Sequence, residues 1–148
     1  MHSVSIPESV SSIGREAFVA CENLKEVIIE NSHAVIGDAA FSGCVDLADR
    51  NGMVIINNTL FGYFGNSEEL IIPDGIEKID EFAVQWCDNL KTVVIPDTVK
   101  SIGRAAFQMC SNLESVTMPE SIAINGEGVF NGCEKLKKLN RRPIKETI

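Results

Sequence analysis

Cysteine is the residue type in this chain whose spacing most invites a chemical explanation. Five cysteines stand at positions 21, 44, 87, 110 and 133, so all gaps are 23 residues except one of 43. A catalytic thiol needs an oriented base, and zinc sites draw on C-x-x-C pairs or Cys/His clusters, neither of which occurs here. We therefore predict a ladder of buried free thiols in one structural column. A disulfide between stacked units, such as Cys110 with Cys133, remains open as the alternative.

Histidine and the paired carboxylates offer no better catalytic arrangement. His33 falls in a column otherwise filled by valine and isoleucine, which favours a core or partly exposed position over a catalytic one. Glu68 with Glu69 and Asp80 with Glu81 are sequence neighbours, which on a strand point to opposite sides, so we assign them to solvent. No glycine-rich loop resembles a phosphate cradle. We predict no enzyme activity, no catalytic residue, no cofactor and no metal site.

Composition and charge narrow the classes of protein further. The chain has 148 residues, 45% of them hydrophobic and 23% charged, which is typical of an ordinary globular domain. No apolar run reaches the roughly 18 residues that a membrane-spanning helix needs, so we expect no membrane span. The net charge of −8 disfavours nucleic acid, because affinity for phosphate backbones comes largely from lysine and arginine. The N-terminal residues lack the pattern of a secretory signal peptide, so the sequence leaves localisation unknown.

Other columns keep the register of the cysteines. A phenylalanine lies three residues before four of the cysteines, a leucine lies three residues after each, and a glycine precedes the aromatic residue in four units. These columns hold Phe18, Phe41, Phe107 and Phe130; Leu24, Leu47, Leu90, Leu113 and Leu136; and Gly14, Gly37, Gly103 and Gly126. Asp80 replaces glycine in the remaining unit. We predict one domain over residues 1–148 with about five 23-residue repeats and an irregular basic C-terminus at 135–148.

Each unit is predicted to contain a strand, a turn and a short helical segment. In the most regular unit, Leu113, Val116 and Met118 alternate as a half-buried strand does, and Pro119 ends that strand. Apolar residues in 103–112 recur at spacings of one, three and four, which suits a brief helical turn. Because no unit can bury its own apolar side, neighbours must stack, and their strands form one parallel sheet. The bulkier helical side then curves the stack, so the sheet is expected to be concave.

The repeat I-P-x-x-V-x-x-I-G-x-x-A-F-x-x-C-x-x-L resembles the BspA-like class of leucine-rich repeats. It is carried by 95–113 and, in part, by 6–24 and 72–90. The resemblance implies an α/β repeat solenoid: a right-handed leucine-rich-repeat stack with a concave parallel sheet and short helices or turns on the convex side. Proteins of this class are common on bacterial and protozoan surfaces, where members are implicated in adhesion to host proteins. A cell-surface or secreted location is therefore what the resemblance implies.

One region departs from the repeat. Arg50 and Gly52 occupy strand positions that are apolar elsewhere, and a 20-residue insertion near 50–69 follows. Its two apolar runs flank Asn57-Asn58, whose residue types tolerate positive φ, so the insertion is predicted to form a hairpin. We interpret it as a hairpin-bearing variant repeat, with a specialised binding insertion as the alternative. In either case an exposed member of the group Phe61, Tyr63 and Phe64 could anchor a partner.

The outward-facing strand positions are the candidate protein-binding surface. They are Glu26, Ile28, Glu69, Ile71, Thr92, Val94, Ser115 and Thr117. Exposed aliphatic residues rimmed by carboxylates are typical of a binding patch, although β-branched residues also simply favour strands. We predict a non-enzymatic module that binds an unidentified protein, in surface adhesion or host-protein recognition. The alternative is an intracellular scaffold or self-assembling repeat protein, because Val4 and Ile6 begin the chain inside a repeat and open ends allow end-to-end self-association.

Overall fold

The computed structural model describes residues 2–122, 124 and 126–143. Within these residues the chain forms twelve strands, one 3₁₀ helix at Val45–Leu47 and no α-helix. The strands are β1 (Ser3–Ile6), β2 (Ser12–Ile13), β3 (Glu26–Ile29), β4 (Val35–Ile36), β5 (Met53–Ile56), β6 (Thr59–Tyr63), β7 (Glu69–Ile71), β8 (Lys78–Ile79), β9 (Thr92–Val94), β10 (Ser101–Ile102), β11 (Ser115–Pro119) and β12 (Lys138–Arg142). The chain is therefore a parallel β-solenoid of about six turns with leucine-rich-repeat-like units.

The first side of the solenoid carries the longer strands. β3 pairs with β1, and β7, β9, β11 and β12 pair in that spatial order, always parallel and in the 23-residue register. Leu70, Val93 and Val116 lie opposite one another and are buried, whereas the flanking positions point outward. This alternation is the pattern that a half-buried strand requires. The predicted parallel sheet is present, but it is divided between β3 and β7.

A second side is built from short strands and contains the predicted hairpin. β2 pairs with β4, and the order of the larger sheet is β10, β8, β6 and β5. β5 and β6 are antiparallel and are joined by Asn57 and Asn58, which adopt φ of 46° and 61°. Leu60 accepts the Asp80 N–H at 2.9 Å, as Ile79 accepts the Gly103 N–H at 2.8 Å in a regular unit. The hairpin therefore stacks as a repeat unit of the solenoid, and the hairpin-bearing variant repeat is confirmed.

On the third side the structure has turns where short helices were predicted. Its segments are stacked turns, in which alternate N–H groups donate across to the next repeat and the intervening ones close turns of type i to i−3. In the unit at 103–112 the bonds across repeats are 2.7–2.9 Å long and join Ala105 to Glu127, Phe107 to Val129 and Met109 to Asn131. Ala105 and Met109 adopt φ of 53° and 60°, which no α-helix allows. The α/β assignment was wrong because apolar spacings over one short turn do not distinguish a helix from such a ladder.

Two apolar clusters fill the interior, and the hairpin unit contributes to both. The larger cluster runs from Met53 to Val129, and the smaller surrounds Phe41. The ring of Phe41 stacks on Phe18 at 5.2 Å and meets the edge of Phe61 at 5.5 Å between centroids. Because Phe61 lies on β6, the hairpin is packed into the core rather than standing on the surface.

The predicted ladder of buried thiols is found in part. All five cysteines are free, but only Cys44 and Cys110 are fully buried, and the other three are half-buried. The Sγ atoms of Cys44, Cys110 and Cys133 donate to carbonyls 26 residues earlier in the chain, at 2.9–3.0 Å. Burial raises the pKa of the Cys44 thiol, which keeps it protonated and unreactive near neutral pH.

His33 does not occupy the core column. The Asn31 side chain accepts the His33 N–H at 3.0 Å and donates to the Val10 carbonyl, and this shifts the turn by one residue. Ala34 then fills the buried position and His33 is exposed. Its predicted core column was therefore wrong, because a local asparagine turn changes the register.

The basic C-terminal segment also differs from the expectation. Residues 138–142, predicted to be irregular, form β12 along the edge of the long sheet. Residues 144–148 lie outside the described part of the chain, so that part of the prediction is not described. No helix among the described residues is long and apolar enough to cross a membrane.

Candidate protein-binding face and cleft

The eight predicted binding residues lie in two parallel rows on the outer side of the long strands. The register aligns Glu69, Thr92 and Ser115 in one row and Ile71, Val94 and Thr117 in the other. Glu26 and Ile28 hold the matching positions on β3, which is the last long strand before the division of the sheet. We call the eight residues the exposed sheet face, and the two sets the glutamate row and the isoleucine row.

Exposure is greatest at the two strands that flank the division. Ile71 is 58% exposed and Ile28 is 49% exposed, and both glutamates are exposed. The four face residues on β9 and β11 are only half-buried or less accessible, because each has paired strands on both sides. The structure therefore brings six of the eight residues into one sheet and concentrates the exposed aliphatic surface near the division.

The division is where the hairpin unit fails to supply a long strand. Asp49 instead closes a turn, because its Oδ1 accepts the N–H groups of Asn51 at 2.8 Å and Met53 at 3.0 Å. The Asp49 carbonyl also accepts the Gly52 N–H at 2.9 Å. This local hydrogen bonding competes with strand pairing, as aspartate side chains commonly do. The departures noticed at Arg50 and Gly52 thus mark a missing strand.

A cleft of about 640 Å³ opens beside the missing strand. It lies between the segment 45–53, the end of the hairpin and the outer residues of β7, including Glu69 and Ile71. Tyr63 and Phe64 both line it; Phe64 is 44% exposed, whereas Tyr63 and Phe61 are buried. Phe64 is therefore the most exposed of the three predicted aromatic candidates.

Trp86 is a surface residue that the sequence analysis did not single out. It is 61% exposed, adopts φ of 61°, and lines a neighbouring cleft of about 540 Å³ with Val45 and Phe64. A tryptophan in the left-handed region is strained, because this backbone conformation is higher in energy for residues that have a Cβ atom. The available signal was its position in the column of Ala20 and Met109, but that column becomes a turn only once the repeat ladder is known.

The surroundings of Asp80 explain why aspartate replaces glycine at this position of the repeat. In regular units glycine is required, because a Cβ on Gly103 would lie 2.6 Å from the backbone nitrogen of Glu81. The unit before Asp80 is the hairpin, so a side chain is accommodated there. Its Oδ2 accepts the Ala39 N–H at 2.8 Å, replacing the carbonyl that receives the matching N–H in regular units. Asp80 therefore caps the turn ladder where the hairpin interrupts it.

A charged cluster around Asp80 ties the two parts of the solenoid together. Lys78 bonds to Asp38 and lies 3.4 Å from Asp80, and Arg15 reaches across to Glu81 at 2.7 Å. Burial raises the pKa of the Asp80 carboxyl, against the opposing effects of the Ala39 N–H and the Lys78 ammonium. The carboxyl is completely buried and its Oδ1 makes no hydrogen bond. The cluster is therefore a structural bridge whose buried charge carries a cost.

Among the described residues, no group of three or more histidine, cysteine, aspartate or glutamate side chains could hold a metal ion. The arrangement that does stand out is an exposed sheet face next to a cleft. Such a surface can contact a macromolecule through aliphatic side chains with a carboxylate rim.

Solved structures with the same fold come from several bacteria. A leucine-rich repeat protein from Bacteroides ovatus is 26% identical with a TM-score of 0.55, and covers 93% of this chain and 37% of its own. One from Eubacterium ventriosum is 18% identical with a TM-score of 0.57, covering 97% and 55%. The pneumococcal vaccine antigen PcpA is 18% identical with a TM-score of 0.52, covering 94% and 50%. The chain thus spans between about a third and just over half of these proteins.

No curated protein matches the chain significantly in sequence. A family model described as BspA type leucine rich repeat region matches residues 1–51 and 54–148, in six copies. The sixth copy agrees with a hairpin unit that stacks as a repeat. The chain belongs to the BspA-type leucine-rich-repeat family.

Proposed function

We propose that this chain is a non-enzymatic protein-binding module that recognises its partner through the exposed sheet face. The observation that carries the proposal is the pair of exposed isoleucines, Ile28 and Ile71, each flanked by an exposed glutamate in a regular register. A single exposed aliphatic side chain is common on monomeric proteins. Several in a row form an apolar patch, and burying such a patch favours association with another macromolecule. The family supports a binding role, since leucine-rich repeats are protein-binding scaffolds.

The finer features belong to the same proposal. The stack is right-handed, the long sheet is its concave side, and residues 1–148 form one domain. We place the module at the cell surface, in adhesion or recognition of a host protein, on the basis of the family resemblance. The solenoid supplies a supporting base for this surface, because β7, β9, β11 and β12 are hydrogen bonded in one sheet and the turns behind them bond from repeat to repeat.

Affinity capture with a variant that carries three lysines on the exposed sheet face tests the proposal. The parent chain is compared with a variant carrying Ile28→Lys, Ile71→Lys and Val94→Lys, using extracts of host cell surfaces and extracellular matrix. We expect one retained protein to be lost by the variant, since lysine would bury an unpaired charge in the interface.

A matched control carries the same number of lysines on exposed apolar residues away from the face. Val19, Val35 and Ile55 are 47%, 68% and 37% exposed, so their replacement by lysine alters charge and hydropathy alike. The control must retain the captured protein. If parent, variant and control all retain the same proteins, or if none retains any, the face is not a recognition site. Circular dichroism checks that all three chains are folded.

A further inference from the structure

The interruption of the long sheet leaves a strand edge open within the molecule. β7 bonds to β9 through Glu68, whose carbonyl accepts the Thr92 N–H at 3.1 Å, and through Ile72, whose N–H donates to Val94 at 3.0 Å. Alternate residues of a strand present their backbone groups to opposite neighbours, so Glu69 and Ile71 present theirs to the missing strand. No described residue hydrogen bonds to the backbone of Glu69 or Ile71 on that side.

The strand before the interruption has the same property. β3 bonds to β1 through Glu26, whose N–H donates to His2 at 3.2 Å, and through Glu30, whose N–H donates to Ile6 at 3.0 Å. Its far edge, at Val27 and Ile29, has no strand partner in the described chain. Open edges of this kind are templates for pairing with another strand. Of these two edges, that of β7 faces the 640 Å³ cleft, whose lining includes Glu69 and Ile71 and no residue of β3. We call the place along this edge of β7 the vacant position.

The side chains that border the vacant position define what would fill it. On β7 these are Glu69 and Ile71, which are exposed and line the cleft. Residues of this chain in register with them are Asp49 and Asn51, which on a neighbouring strand would place a carboxylate opposite Glu69 and an amide opposite Ile71. Like charges directly opposite on neighbouring strands destabilise a sheet. The chain's own segment is thus a poor occupant and folds into a turn.

We infer that the vacant position is a binding site for an extended polypeptide segment with a basic residue and an aliphatic residue two positions apart, added parallel to β7. The inference names the chemistry of the partner and so rests on the protein-binding function proposed above. The basic side chain lies opposite Glu69 and the aliphatic one opposite Ile71. The segment's backbone pairs with Glu69 and Ile71, which is the strand-addition mode of peptide recognition.

The net charge of the chain agrees with such a partner. The chain carries −8 overall, and Glu68, Glu69 and Asp74 are exposed around β7. An acidic surface attracts a basic segment and orients its approach. Arg50 lines the same cleft, so it disfavours a segment with a second basic residue beyond the two rows.

The test uses the capped peptide Ser-Lys-Val-Ile-Ser and the full chain, followed by amide NMR and hydrogen exchange. We expect the Glu69 and Ile71 amide signals to shift and their exchange to slow when the peptide is added. Two control peptides should produce neither effect. One control peptide has Asp and Asn in place of Lys and Ile, as in this chain's own segment. The other is N-methylated at the Val and final Ser nitrogens, because the N–H groups of these two residues would donate to β7.

Two protein variants test the edge. Ile71→Pro deletes a donor that faces the vacant position and leaves the bonds to β9 intact, as proline permits at a strand edge. It should abolish the peptide effects at Glu69. Val35→Lys adds a charge at an exposed position on the short-strand side, away from β7, and should leave them unchanged.

Absence of any shift, equal effects from the N-methylated peptide, or loss of the effects in Val35→Lys would each overturn the inference. These results are distinguishable from failure of the proposed function. If the triple-lysine variant loses a captured protein while the peptide does not pair with β7, the face binds and the edge does not. If the peptide pairs and the capture comparison shows no difference, the edge is a site and the face is not.

Discussion

The regular repeats and the hairpin unit solve the same packing problem in different ways. Where β7, β9 and β11 stack, every unit has the same three sides, and the backbone hydrogen bonds between repeats join residues 22 to 24 positions apart. The hairpin unit keeps the short-strand side through β6, but it lacks the long strand and depends on the Asp80 carboxylate to complete the turn ladder. The difference teaches that a unit lacking one strand can expose an edge and a cleft while still packing against both apolar clusters.

A substitution in the glycine column of the regular repeats is expected to have the largest effect on stability. Gly103→Ala would place a Cβ 2.6 Å from the backbone nitrogen of Glu81, so one repeat must move away from the next. We expect unfolding free energy to fall by about 1–3 kcal/mol, the usual cost of overpacking. Urea denaturation followed by circular dichroism measures it.

Gly14→Ala is the matched control, because no atom lies within 4 Å of the added Cβ. It should change the unfolding free energy by less than about 1 kcal/mol, since only backbone entropy is altered. Equal losses in the two variants would contradict the idea that close stacking is what requires glycine.

The sequence predicted the features that repeat and missed those that depend on neighbouring units. The 23-residue columns predicted the stack, the parallel sheet and the hairpin, because each follows from periodicity within the chain. The helical assignment for 103–112 failed because its hydrogen bonds go to the next repeat, which no local pattern reveals. The eight face residues follow from strand alternation alone. Trp86, Val45 and the cleft could not be predicted, since they meet only when the hairpin displaces a strand.

The buried carboxylate of Asp80 should distinguish the hairpin junction by its pH dependence. Its folded-state pKa is raised by burial, so the protonated form is favoured by folding. A group of this kind contributes stability below its unfolded pKa and loses it as the pH rises through the folded value. At neutral pH, Asp80→Asn removes the buried charge and keeps an oxygen that can accept the Ala39 N–H. We expect the variant to be more stable there, because the neutral amide avoids the cost of burying a charge.

The advantage should shrink on acidification, when the wild-type carboxyl becomes protonated and resembles the amide. Unfolding free energies of both proteins at neutral and at moderately acidic pH provide the measurement. Asp38→Asn is a suitable comparison, because Asp38 is partly exposed and bonds the same lysine. If Asp80→Asn destabilises the chain at neutral pH, the ion pair with Lys78 outweighs the cost of burial.

Repairing the missing strand should have the smallest effect on stability and the most specific effect on structure. The variant Asp49→Lys, Arg50→Val and Asn51→Ile gives the segment the alternation of a regular unit and removes the side chain that closes the turn. Its lysine would lie opposite Glu69 and its isoleucine opposite Ile71 on β7. Cross-strand pairs of these types contribute about 0.2–1 kcal/mol each, which roughly offsets the lost turn.

Hydrogen exchange at the edge of β7 tests that repair more directly than stability does. If the segment becomes a strand, the amides of Glu69 and Ile71 acquire acceptors and exchange more slowly, while those in β11 remain as they were. The single change Asp49→Asn, which preserves the turn, should leave exchange at β7 unaltered. Unchanged protection in the repaired variant would mean that the outline of the cleft, rather than the identity of residues 49–51, keeps the strand position vacant. The difference between the two kinds of repeat would then reside in the hairpin itself.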